Sequence, residues 1–172
     1  MTDGDGAARR ATDGPNRGLS ETIQRFGHSV EYVIGTKEQQ PSFAYTIGLF
    51  ADGHPELLVF GFGTKAACKV LNGMSGLILA GTEISPGTEV VVDINLVVDV
   101  EHSYLLRRLV MVERVPNPGQ IVLRANQFYG RLSQDSVPVN QLTFADGHGR
   151  FPWEAGYSVP AWIQPRPGTY TA

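Results

Sequence analysis

Apolar and polar positions alternate most cleanly between residues 41 and 61. Phe43, Tyr45 and Ile47 interleave with Ala44, Thr46 and Gly48, a period of two that predicts a strand with two different faces. Leu57 to Phe60 is a continuous apolar run, the pattern of a strand covered on both sides. Asp52-Gly53 separates the two as a turn dipeptide, since glycine accepts a positive φ without steric cost. His54-Pro55-Glu56 then leads out of the turn into the second strand. The other elements read as additions around this pair. Val30, Tyr32 and Ile34 predict a strand over residues 28–34, and β-branched runs predict two more over 88–94 and 109–115. Residues 137–144 read as the last strand, with Pro138 pointing to a sheet edge or a strand start.

A spacing of three and four marks the helices. Ala67, Val70, Leu71, Met74, Leu77 and Ile78 share one face of a helix over 64–80. Thr64 is its expected N-cap and Gly81 its end. A short helix starts at Ser20, with Ile23 and Phe26 as its stripe and Gly27 as its stop. A third covers 120–129, with Ile121, Ala125 and Phe128 turned inward. Residues 101–108 are ambiguous and can form one helical turn leading into the strand 109–115. About six strands and three helices without regular βαβ alternation predict an α+β fold. The expected sheet is mixed and largely antiparallel, with two to three helices packed on it. Residues 1–18 show no hydrophobic period and are expected as a disordered leader; 19–172 form the single domain, closed by an irregular aromatic tail.

Composition narrows the partners. Of 172 residues, 42% are hydrophobic and 18% charged, with a net charge of −3, so one globular domain with a sizeable core is expected. Lys and Arg do not cluster, which argues against nucleic acid. No apolar run approaches the roughly 18–20 residues that span a bilayer, so no membrane partner is expected, and no secretory signal opens the chain. The lone Cys68 excludes an internal disulfide and any CxxC motif. A cytoplasmic setting follows as the expectation.

Chemistry-bearing residues gather at turns, each with a structural alternative. His54 and Glu56 have the composition of a general base and its orienting carboxylate; alternatively the imidazole caps the turn and Glu56 pairs with a cation. Asp146-Gly-His-Gly-Arg150 can form an anion nest of backbone amides and a guanidinium, or a turn in which Arg150 pairs with Asp146 or Glu154. Tyr45 and Thr46 put hydroxyls on opposite faces of the central strand, and a buried one needs a partner. Tyr45 can meet a ligand's polar group, or tie Asp146 or His54 to the sheet. Phe151 and Trp153, with Tyr157 and Trp162, can wall a cleft beside Arg150 or seal the core. His28, His54, His102 and His148 show no HxH, HxxxH or HExxH spacing, so no local metal motif exists. A metal held by distant loops, for instance by His28, His54 and Asp146, needs a geometry the sequence does not display. Cys68 has no histidine near it in sequence to complete a dyad and suits a small core position.

Phe43-Ala-Tyr-Thr-Ile-Gly-Leu49, His54-Pro-Glu-Leu57 and Gly149-Arg-Phe-Pro-Trp-Glu154, in this order and spacing, resemble a bacterial family known as domain of unknown function 4262. The resemblance runs from about His28 to Pro165. It implies Tyr45, Thr46, Gly48, His54, Pro55, Glu56, Asp146, Arg150, Phe151, Pro152 and Trp153 as signature positions. It implies no reaction, cofactor or catalytic residue.

Two readings follow. In the first, a protein that processes a small molecule or peptide uses acid/base chemistry in a mixed polar and aromatic cleft. His54, Glu56, Tyr45 and Asp146 act there; Arg150, Trp153, Thr46, Phe151 and His28 hold the substrate. In the second, the chain is a non-catalytic module that binds a small ligand or a protein. The first requires His54, Tyr45, Asp146 and Arg150 to converge on one hollow, and that convergence is the expectation. The residues identify no cofactor. Pairing of the 137–144 edge makes a homo-oligomer a further expectation.

Overall fold

The computed structural model describes residues 6–36, 41–97 and 103–170. In chain order the elements are α1 (Gly6–Phe26), β1 (Ser29–Val33), β2 (Phe43–Ile47), β3 (Glu56–Phe60), α2 (Thr64–Leu79), β4 (Glu89–Val97), β5 (Ser103–Arg114), α3 (Leu123–Tyr129) and β6 (Val139–Phe144). The strands form one six-stranded sheet in the order β1-β2-β3-β6-β5-β4. All its pairings are antiparallel except β3 with β6, where Glu56 lies opposite Val139 and Leu58 opposite Gln141. This is the mixed, largely antiparallel α+β sheet expected.

Both faces of the sheet are covered. On one, Ala67, Val70, Leu71 and Met74 of α2 pack on Ala44, Leu57, Val59, Val112 and Leu142. On the other, Tyr45, Ile47, Leu58, Phe60 and Val139 meet Ile121, Val122 and Ala125 at α3, Leu19 and Ile23 of α1, and Tyr170 from the tail. β3 is therefore buried along its whole length, which is why Leu57 to Phe60 are apolar without alternation. The tail is strapped to β6 by side-chain amides. Gln164 accepts from the Phe144 N–H and donates to the Phe144 carbonyl, both at 2.8 Å, and Gln141 Nε2 donates to the Pro165 carbonyl at 2.8 Å.

Three expectations are corrected. The 137–144 stretch is central, not an edge: β6 lies between β3 and β5. Pro138 precedes the first paired residue, and its carbonyl accepts the Glu56 N–H at 2.9 Å, so its missing donor costs the sheet nothing. The open edges are β1 and β4, and the expected pairing of copies through 137–144 has no edge to use. Residues 103–108 are strand, because they pair with β4 from Val97 back to Val92. α1 begins at Gly6 rather than at Ser20. Once the turn carrying Leu19 and Ile23 is docked, each residue added N-terminally gains one hydrogen bond on an existing helix.

Candidate functional site

The turn between β2 and β3 is built around a buried carboxylate. Glu56 has no exposed surface. Its Oε2 accepts from the Thr46 hydroxyl at 2.6 Å. Its Oε1 accepts from the Gly48 N–H at 2.8 Å, the Phe50 N–H at 3.1 Å and the Tyr129 hydroxyl at 3.2 Å. The Thr46 oxygen also accepts from the Leu57 N–H at 2.9 Å, which turns its proton toward Glu56. Burial pushes the Glu56 carboxyl above its ordinary range against the pull of these four donors. Glu56 thus orients no imidazole, and Thr46 has no surface to offer a substrate; together they lock the turn to α3.

His54 is also occupied. Its Nδ1 lies 2.6 Å from the Pro55 carbonyl and its Nε2 2.9 Å from the Ile84 carbonyl. A general base needs a free lone pair within reach of its substrate, and both ring nitrogens here face main-chain oxygens. The histidine ties the turn to the segment after α2.

Asp146 fills its own nest. Its carboxylate accepts from the main-chain N–H groups of His148 at 2.9 Å, Arg150 at 3.0 Å and Ser158 at 3.1 Å, and from the Ser158 hydroxyl at 3.1 Å. Arg150 Nε adds a contact at 3.3 Å. Burial opposes the charge, but the amides of Arg150 and His148 and the two groups of Ser158 outweigh it, holding the carboxyl well below the usual range. The amides expected to receive a ligand anion are thus turned on Asp146 itself. Arg150 pairs with that carboxylate and approaches His148 Nδ1 at 3.0 Å. Phe151 is buried and stacks on Trp153, with centroids 4.8 Å apart and planes 9° from parallel. The outer face of Trp153 carries the Arg166 guanidinium at 4.8 Å.

The expected convergence does not occur. β3 and β6 run parallel from Glu56 and Val139. His54 precedes the start of that pair and Asp146 follows the end of β6, so a strand length of roughly 20 Å separates them. His28 has a third set of partners, with its Nε2 2.9 Å from Asn72 Oδ1. Among the described residues no group of three or more His, Cys, Asp or Glu could hold a metal ion; His102 lies outside them.

Of the expected residues, Tyr45, His28 and Trp153 each border a cavity, and the one walled by a run of rings is the cavity at Tyr45. It lies over β1 and β2, beside the start of α3, and measures about 410 Å³, within the roughly 300–1,000 Å³ of small-molecule sites. Its wall is a run of rings. Phe43 stacks near Tyr45 at 6.2 Å and touches Phe60 at 5.5 Å, and Phe60 touches Tyr170 at 4.8 Å. Ile121 closes the inner side, while Ile34 and Leu123 stand exposed at the rim with Glu31 and Arg124. The Tyr45 hydroxyl accepts the Arg124 main-chain N–H at 3.1 Å, so it ties α3 to the sheet rather than Asp146 or His54. Burial pushes its pKa up to about 12, with the Arg124 amide opposing and the Glu31 charge adding. The phenol therefore keeps its proton near neutrality and can give it to a ligand. Phe43, Phe60 and Ile121 escaped detection because their pattern is that of ordinary core, Arg124 because a single charge on a helix reads as surface, and Tyr170 because its tail has no period. The signal present was the pair of aromatics two apart at 43 and 45.

No helix among the described residues is long and apolar enough to cross a membrane. No curated protein and no solved structure matches the chain. A family model, described as a domain of unknown function, DUF4262, matches residues 22–158, a span that holds the whole sheet, all of α2 and α3, and the Asp146 turn. The chain belongs to the DUF4262 family.

Proposed function

We propose that this protein is a ligand-binding domain. Its site is the aromatic cavity beside Tyr45, and its ligand is a small, largely apolar molecule with one hydrogen-bond acceptor. The observation that carries this reading is the pairing of an apolar, ring-lined cavity with one buried phenol that keeps its proton. Apolar walls supply affinity through burial, at about 25 cal/mol per Å² removed from water, and one convergent donor orients the guest. The acid/base reading is the weaker, because both ring nitrogens of His54 face carbonyls and Asp146 spends its lone pairs on its own turn.

Planar aromatic carbonyl compounds are the appropriate probes, beginning with coumarin and measured by ligand-observed NMR. Binding is expected to weaken about tenfold in Tyr45→Phe, the worth of one hydrogen bond of about 1–1.5 kcal/mol. It should weaken further in Ile34→Asp, which puts a charge on the apolar rim. Equal binding by the wild type and both variants would remove the cavity from consideration, as would a set of such probes none of which binds.

A further inference from the structure

β1 is one of the two open edges of the sheet, and its free main-chain groups can be assigned residue by residue. The Gly61 N–H bonds the Ser42 carbonyl at 3.4 Å. Ser42, and Ala44 two residues on, therefore turn their main-chain groups to β3, while Phe43 and Tyr45 turn theirs to β1. Val33 lies opposite Phe43 and Glu31 opposite Tyr45, so Glu31 and Val33 spend their N–H and C=O groups on β2. Those of Val30 and Tyr32 point the other way, and among the described residues no strand meets them. Side chains along this edge alternate between two hollows. Glu31 and Val33 border the aromatic cavity. Val30 borders a second cavity, of about 450 Å³, where Thr22 of α1 and Asn72 of α2 supply polar side chains.

We propose that the β1 edge takes up an extended segment of a partner protein as a seventh strand, with alternate side chains of that segment entering the two cavities; this rests on the aromatic cavity being a binding site and adds the partner that reaches it. Main-chain bonds to Val30 and Tyr32 hold such a segment whatever its sequence, and the flanking hollows select among sequences. A side chain opposite Val33 faces the cavity walled by Phe43, Phe60 and Tyr170, so an aromatic residue belongs there. Two residues away on the same face is the position opposite Glu31. No ion pair engages Glu31 among the described residues, so lysine or arginine is the complementary choice. The side chain opposite Val30 turns to the second cavity, where threonine or serine suits the polar lining. The partner segment thus carries an aromatic and a basic residue two apart. A second copy of β1 fits worse, because two-fold pairing of the edges brings a second Glu31 to the same face and sets like charges beside each other.

The probe is acetyl-Thr-Lys-Thr-Phe-Thr-Lys-Thr-amide, whose symmetry presents the same pattern in either chain direction. Amide hydrogen exchange of the full-length protein, followed by NMR, locates it. Exchange at Val30 and Tyr32 is expected to slow about tenfold or more with the peptide bound, while Glu31 and Val33, already bonded to β2, change little. A peptide with serine in place of phenylalanine should bind about tenfold more weakly. Charge reversal supplies a second measurement. The wild type should prefer the lysine peptide to its glutamate counterpart, and Glu31→Lys should invert that preference; Glu31 is partly exposed, so the variant is expected to fold. Coumarin binding, followed in parallel, separates this proposal from the cavity reading. Unchanged exchange at Val30 and Tyr32 while coumarin binds overturns strand addition and leaves the cavity reading standing; when neither probe binds, both fall. An unchanged preference in Glu31→Lys overturns strand addition, as does equal binding of the serine peptide. Slow exchange of the same amides in the free protein, growing slower with its concentration, would assign the edge to a second copy and overturn it too.

Discussion

Two buried carboxylates, Glu56 and Asp146, titrate in opposite directions, and the cause in each case is visible at single residues. Glu56 receives four donors, yet its burial wins and raises its pKa above the ordinary value of 4.5. Asp146 receives more main-chain N–H groups, and they win, lowering its pKa below the ordinary 3.8. The linkage signs follow. Below pH 4.5 Glu56 is protonated in both folded and unfolded chains; as pH rises the unfolded chain ionises first, so the stability contributed is lost as pH climbs through the native value. Asp146 contributes fully above pH 3.8, and its contribution is lost as pH falls from there through its depressed native value. Urea midpoints from pH 2.5 to 8 test this. The advantage of the wild type over Glu56→Gln should shrink upward from pH 4.5, and its advantage over Asp146→Asn should shrink downward from pH 3.8. Parallel curves for either pair would show that the carboxylate in question feels no net field from the fold.

The helices and most strands were legible because their periods are strong. Ala67, Val70, Leu71 and Met74 are buried along α2 as their spacing required, and the Phe43–Ile47 and Leu57–Phe60 pattern became β2 and β3. What the sequence did not display was partnership. Pro138 suggested an edge because local chemistry records only the missing N–H, not that β3 would lie alongside in parallel. Residues 103–108 were ambiguous because their strand character comes from β4 across the hairpin. His28 and Asn72 could not be linked from spacing, since one belongs to β1's approach and the other to α2. The β2–β3 connection also has a requirement hidden in one residue. Gly48 sits at φ 137°, and a Cβ would come within 2.6 Å of the Gly27 carbonyl oxygen. Strain and collision act together there, and Gly48→Ala is expected to cost about 2–3 kcal/mol. Chemical denaturation measures it, and Gly53→Ala is the comparison: that glycine also has a positive φ but nothing within 4 Å of its Cβ position, so it should cost only about 1 kcal/mol.

At the scale of the molecule, the family match stops at residue 158, but the packing does not. Gln164 caps the Phe144 backbone, Pro165 accepts from Gln141, and the Tyr170 hydroxyl donates to Gln141 Oε1 at 3.2 Å while its ring closes the aromatic cavity. A chain ending at Ser158 should lose roughly 3–5 kcal/mol, the sum of one buried ring and a few hydrogen bonds, with a melting temperature lower by about 10 °C. Probe binding in the cavity should fall with it. Calorimetry showing an unchanged melting temperature would reduce the tail to an appendage.

The parallel contact of β3 with β6 also sets an order of events during synthesis. The inner strand of the sheet is made early, and the neighbour that covers its far edge is made some eighty residues later. Until that late segment leaves the ribosome, a strand apolar from Leu57 to Phe60 shows a bare row of amides and carbonyls. Closing so long a loop is slow, so the half-made chain spends that interval as a sticky intermediate, and demand for chaperones should peak when translation has passed α2 but not yet reached residue 144.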